Sequence, residues 1–150
     1  MPGNYIAINA ETNAFDVLGI ANDLPYDPHI TLMYSPDTNL PHDELAQMVD
    51  NMSSMVLART TLLHPTGADM FENDDGGYSV VLLVDHSCLR YTHQLLKLRG
   101  LRHTYPEYQP HLSLTYNTHK AEAEELVRLV ELQLVEIVIQ LTDVVAEPTA

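Results

Sequence analysis

Two nine-residue stretches of this chain carry the same alternation of apolar and polar positions. In Tyr26-Asp27-Pro28-His29-Ile30-Thr31-Leu32-Met33-Tyr34, Ile30 and Leu32 alternate with His29 and Thr31. In Tyr108-Gln109-Pro110-His111-Leu112-Ser113-Leu114-Thr115-Tyr116, Leu112 and Leu114 alternate with His111 and Ser113. A period of two belongs to a strand, whose successive side chains point to opposite faces of a sheet. Each stretch is therefore predicted to bury its aliphatic pair and to show a histidine and a hydroxyl together on the other face. Five of the nine positions are identical and two more are conservative, and the second copy follows the first by 82 residues. The pattern is an internal duplication.

The remaining periodicities fill in an order of elements around these two strands. Tyr5 to Ala10 reads as a strand, and Ala14, Phe15, Val17, Leu18 and Ile20 give an apolar face to a helix from about Thr12 to Ala21. After the first motif strand, His29 to Tyr34, a loop holds Ser35, Pro36, Asp37 and Asn39. Pro41 suits the first turn of a helix whose Leu45, Met48, Val49 and Met52 recur at three and four. Val56 to Leu63 and Tyr78 to Val84 read as strands, and the turn signal Asp74-Asp75-Gly76-Gly77 predicts a long hairpin between them. In the second half, Ser87 is a cap for a helix ending near Arg99, with Gly100 where a left-handed residue is wanted. A loop with Tyr105, Pro106, Glu107 and Tyr108 leads to the second motif strand, His111 to Tyr116. Thr118 would cap the next helix, with Glu122, Glu124 and Glu125 near its N-terminal end. Val135, Ile137, Ile139 and Leu141 then alternate along a last strand, and Glu147 to Ala150 reads as a frayed tail. Strand, helix, motif strand, helix, strand occurs twice, which predicts an α+β fold of two lobes.

The length of 150 residues fits one domain, 1–150, with a core of its own, and the 45% hydrophobic content is that of a globular protein. No apolar run approaches the roughly 18 residues of a membrane span. The N-terminus lacks a basic segment followed by an apolar stretch, so the expectation is a soluble cytoplasmic protein, monomeric or weakly oligomeric, without a membrane partner. Cys88 is the single cysteine and has no internal partner, so it reads as a small apolar or capping-region residue. Charge narrows the ligand: 21 acidic against 7 basic residues give a formal −14, with no Lys or Arg before Arg59. A protein that tracks a long nucleic acid needs a stripe of cations to neutralise phosphates, and that class is disfavoured. A small anion needs only a local positive spot, for which Arg99 and Arg102 are candidates among the four basic residues preceding the second motif.

Candidate chemistry centres on His29, Thr31, His111 and Ser113. Two imidazoles and two hydroxyls suffice for acid and base work on a phosphate, because an imidazole both takes and gives protons near neutral pH. A third His-x-Thr, His64-Pro65-Thr66, is set aside because its central proline cannot donate to a sheet ladder. Metal binding is not indicated: His86 and His93 lie seven apart on a predicted helix, but no third ligand accompanies them. No phosphate loop, dinucleotide glycine signature or nucleophile elbow is present, so no cofactor is expected. Tryptophan is absent, which leaves Tyr5, Tyr34, Tyr78, Tyr105, Tyr108 and Tyr116 as the large rings on which a base could stack.

On His29-Ile30-Thr31 and His111-Leu112-Ser113, and on an element order covering essentially the whole chain, the sequence resembles the 2H phosphoesterase superfamily. The resemblance implies a duplicated, bilobal α+β fold, two antiparallel sheets lining a central cleft with helices outside, and convergence of His29, Thr31, His111 and Ser113 on one phosphate. The Tyr5-Ile6-Ala7-Ile8 strand and the Tyr105-Pro106-Glu107-Tyr108 approach to His111 look most like the phage anti-CBASS group within it. That implies a metal-independent phosphodiesterase acting on a cyclic di- or trinucleotide immune signal in a host cytoplasm. Alternatives are a 2′,3′-cyclic or 2′,5′-oligoadenylate phosphodiesterase acting on RNA ends or fragments, and a protein that sequesters a nucleotide without cutting it.

Overall fold

The computed structural model describes residues 4–35, 41–59, 62–101 and 108–148. The first half contains β1 (Asn4–Thr12), α1 (Ala14–Leu18), β2 (His29–Ser35), α2 (His42–Arg59) and the short β3 (Leu62–Leu63). The second contains β4 (Gly67–Glu72), β5 (Tyr78–Leu83), α3 (Ser87–Leu98), β6 (His111–Ser113), α4 (Lys120–Gln133), a 3-10 turn (Leu134–Glu136) and β7 (Ile139–Pro148). The expected mixture of helices and antiparallel strands is present.

The two expected sheets are one. All seven described strands join in the order β3-β7-β1-β2-β6-β5-β4, with antiparallel pairing throughout. The junction is β2 beside β6, where Ile30 pairs with Leu112. The halves therefore meet edge to edge through the backbone rather than as separate layers. Alternation along a strand tells which face a side chain takes but not which strand lies alongside, so the sequence pattern fits either arrangement.

One face of the sheet is aliphatic. Ile6, Ile8, Ile30, Leu82 and Leu112 are fully buried in a single core cluster. It is covered by helices that pack on β7 (α2), β2 (α3) and the β4–β5 pair (α4). The helices cover this face because their own stripes match it: Leu89, Thr92, His93 and Leu96 are the buried positions of α3, and Ala123, Leu126 and Val130 those of α4.

Several element boundaries differ from the sequence reading. The first helix is only Ala14–Leu18, because Thr12 belongs to β1 and Gly19 adopts a left-handed cap at φ 67°. The strand expected over Val56 to Leu63 is mostly helix: the three-and-four spacing begun at Leu45 carries α2 to Arg59, leaving Leu62–Leu63 as strand. The hairpin partner of β5 is consequently β4, with the Asp74-Asp75 turn between them as expected. Helix α3 is capped by His86, whose Nδ1 accepts the Cys88 N–H at 3.0 Å, rather than by Ser87. Helix α4 starts after His119, while Thr118 is used in a bridge to Tyr78. Val135 lies in the 3-10 turn, and Glu147 is no frayed end but pairs with Tyr5 in β1.

Candidate active site

The β2–β6 register assembles the two motifs. With Ile30 opposite Leu112 in an antiparallel pair, His29 falls across from Ser113 and Thr31 across from His111. Since Ile30 and Leu112 face the core, the two histidines and two hydroxyls share the opposite face. The second motif strand is shorter than expected, His111–Ser113, but keeps both of its chemical residues.

Each histidine is set by the same local structure. The Pro28 carbonyl accepts the Ala10 N–H at 3.0 Å and the Pro110 carbonyl accepts that of Val84 at 3.0 Å, fixing the approach to each motif. His29 Nδ1 then lies 2.9 Å from the carbonyl of Asp27, and His111 Nδ1 lies 2.9 Å from that of Gln109. A carbonyl oxygen only accepts, so Nδ1 carries the hydrogen in both rings and Nε2 of the neutral imidazole keeps its lone pair. Both rings are also held edge-on by aromatics: His29 by Tyr26 and Tyr5 at 5.0 and 5.9 Å, and His111 by Phe71 at 5.4 Å.

A cleft of about 770 Å³ opens over this face and takes in Thr31, His111 and Ser113, with Tyr5, Tyr34 and Tyr116 among its walls. His29 is not among the lining residues, but its ring meets that of Tyr5, which also meets the ring of Tyr34 at 6.1 Å. The Tyr5 hydroxyl is 3.0 Å from Thr31 Oγ1. Burial pushes this phenol up from its ordinary pKa, against the lowering effect of the Thr31 bond, so it stays a neutral hydroxyl.

The strand period alone places Tyr34 on the wrong face, since it is an odd number of residues from both His29 and Thr31. Two bulges correct this. In β2 the pairing with β1 passes from Met33 to Thr31 and skips Leu32, so Leu32 and Met33 are both buried and Tyr34 returns to the cleft, 38% exposed. After β6, the N–H groups of Leu114 and Thr115 share the Val80 carbonyl at 2.8 and 3.4 Å, and Tyr116 emerges into the cleft, 51% exposed. The repeat thus extends to an irregularity of the backbone.

Of the other sequence candidates, Tyr108 borders the cleft with its ring stacked on His93. Tyr78 packs against the core and outside the cleft, and Tyr105 and Arg102 lie outside the described residues. Arg99 pairs with Glu44 at 3.4 Å. The described lining holds no Lys or Arg, and the β4–β5 hairpin brings Glu72, Asp74 and Asp75 to one end of the cleft. Among the described residues no three or more His, Cys, Asp or Glu side chains gather as metal ligands. His86 and His93 separate into a helix cap and a buried contact. Phe71 and Ser79, which also line the cleft, were not singled out in the sequence. Ser79 sits between Tyr78 and the apolar run Val80 to Val84, and that lone polar position is its one readable signal.

His111, Thr31, Ser113 and aromatic walls line a cleft suited to a small ester with a planar group attached, and His29 lies on the same sheet face with the same tautomer. The sequence profile described as "Anti-CBASS protein Acb1" matches residues 45–147, and the chain belongs to that family. The matched segment includes the second motif and starts after the first. The chain is also 26% identical over 135 residues to the anti-CBASS protein Acb1 of Salmonella phage S16, covering 85% of this chain and 80% of that protein.

Proposed function

We propose that the protein is a metal-independent phosphodiesterase that counteracts CBASS antiviral defence in a host cytoplasm by cleaving a cyclic di- or trinucleotide signal. The observation that carries the reading is the matched pair of Nδ1–carbonyl bonds, which prepares both Nε2 atoms for proton transfer on one face of the sheet. Membership of the anti-CBASS family and the phage relative support the biological setting. The mirrored element order and the paired bulges support descent from a duplicated 2H-type fold.

In the proposed reaction one imidazole takes the proton of a ribose 2′-hydroxyl, and that oxygen attacks the adjoining phosphorus. The other, protonated imidazole gives its proton to the departing oxygen as the P–O bond breaks, leaving a 2′,3′-cyclic phosphate. Thr31 and Ser113 donate to the non-bridging oxygens. Tyr34 and Tyr116 offer stacking surfaces at corresponding places beyond the two bulges, and Tyr5 and Tyr105 complete the set proposed to stack on substrate, while Tyr108 borders the cleft with its ring and hydroxyl engaged by His93 and Thr31.

Chromatography of cyclic dinucleotides, cyclic trinucleotides, linear 2′,5′ oligomers and cyclic-phosphate RNA ends, incubated with the protein in excess chelator, tests this reading. Cleavage of a cyclic nucleotide is expected, with His29→Ala and His111→Ala each slowing it by about 10² to 10⁴. A 2′-deoxy analogue should bind and stay intact. Tight binding with no cleavage of any member would establish sequestration, preferential cutting of RNA ends would move the assignment to that class, and full activity of His29→Ala would overturn the two-histidine chemistry.

A further inference from the structure

The bulge that turns Tyr34 into the cleft leaves the register at Leu32, and side chains from two distant segments hold the backbone there. His93, buried on α3, donates from Nδ1 to the Leu32 carbonyl at 2.6 Å. Tyr108 donates its hydroxyl to the adjacent Thr31 carbonyl at 2.8 Å. The two rings stack on each other with centroids 3.9 Å apart and planes within 7°. Burial pushes the Tyr108 phenol far up and pulls His93 down, so both groups stay uncharged and donate as drawn.

This stack also joins the two motifs. Tyr108 is bonded to the backbone of Thr31, the hydroxyl residue of the first motif. Its chain neighbour is Gln109, whose carbonyl fixes the tautomer of His111 in the second. A shift of Tyr108 therefore moves Thr31 and His111 together, while His93 anchors both to α3. The bulge makes such an anchor necessary, because a residue skipped by its ladder loses the hydrogen bond that would otherwise fix its carbonyl.

We infer that the stacked pair His93 and Tyr108 is a positioning clamp that sets the Leu32 bulge and thereby aligns Thr31 and His111 for catalysis. The inference rests on the proposed phosphodiesterase reading for its kinetic consequence and on the geometry alone for its structural one. Tyr108→Phe keeps the stack and removes one donor. His93→Leu removes the other, whereas His93→Asn retains an N–H close to the position of Nδ1. With the nucleotide that wild type cleaves, Tyr108→Phe and His93→Leu should each lower kcat about 10-fold or more with KM changed less than about threefold, and His93→Asn should recover most of the loss. Amide hydrogen exchange in residues 29–35 and 108–113 should rise about 10-fold in the two damaging variants while β7 keeps its protection.

A raised KM with unchanged kcat in Tyr108→Phe would make its hydroxyl a substrate contact and overturn the clamp. So would unchanged exchange in both segments. Should wild type cleave none of the nucleotides, the functional reading fails by itself, and the exchange measurement still decides whether the clamp exists.

Discussion

His93 enters the fold neutral. Desolvation pulls its pKa below the ordinary imidazole value, the Leu32 carbonyl opposes this, and Lys97 on the same helix adds to it. The ring stacked against it, Tyr108, is itself kept uncharged by burial. In the unfolded chain the imidazole protonates near its ordinary value of about 6.5. Between that value and the lower folded one the unfolded state binds the extra proton. The contribution of His93 is therefore complete above about pH 6.5 and declines as pH falls through the window. Thermal melts of wild type and His93→Asn from pH 8 to pH 5 should show a gap in Tm that is constant at the alkaline end and narrows below about pH 6.5. Parallel curves over the whole range would show that folding does not perturb this ring. The sequence offers His93 only as a histidine among Leu89, Thr92 and Leu96 on a helical stripe, which places it inward but does not name its partner. Its partner is a carbonyl exposed by an irregularity 61 residues earlier, and no local pattern encodes that.

The β4–β5 hairpin forms one wall of the cleft, and its position depends on a close approach. A Cβ added at Gly77 would lie 2.7 Å from the Asn117 Cα and 2.9 Å from its Oδ1, and Asn117 already holds φ 61°. The contact is anchored by the paired Tyr78–Thr118 backbone bonds, 2.8 Å each, so the loop has little freedom to withdraw. Gly77→Ala should destabilise the protein by about 1 to 3 kcal/mol, the usual cost of overpacking a close contact, measured as a lowered Tm. Because Phe71 of the same hairpin packs edge-on against His111, the variant should also lose activity at temperatures where it remains folded. A Tm equal to wild type would mean that the hairpin is not seated on Asn117. At this scale the two motif strands were legible because their alternation is strict and repeated, and they carry His29, Thr31, His111 and Ser113. The merging of the strands into one sheet was not, since pairing partners leave no mark on alternation. The helical identity of residues up to Arg59 was obscured by the apolar run around Val56 and Leu57, whose composition suits a strand as well as a helix.

For the whole molecule, the formal charge of −14 meets a proposed ligand that is itself an anion. Three described arginines are drawn into ion pairs and none of the three lines the cleft: Arg90 with Asp85 at 2.8 Å, Arg99 with Glu44 at 3.4 Å and Arg128 with Glu125 at 3.2 Å. The described cleft lining adds Glu72, Asp74 and Asp75 and no Lys or Arg. Among the described residues, the groups that offer affinity are tyrosine rings for stacking and hydroxyl and imidazole hydrogen-bonding atoms, with the long-range field opposing approach. A compact ligand with two or three phosphates meets that field over a short length. Long RNA meets it over every phosphate outside the cleft. Salt screens such repulsion, with a Debye length of about 10 Å at 0.1 M and about 3 Å at 1 M. Raising sodium chloride from 50 to 500 mM should therefore leave the KM for a cyclic nucleotide unchanged or lower it, opposite in sign to proteins that hold nucleic acid by releasing counterions. A KM that climbs steeply with salt would require a cationic contact to the phosphates and would overturn an affinity built on rings and neutral donors.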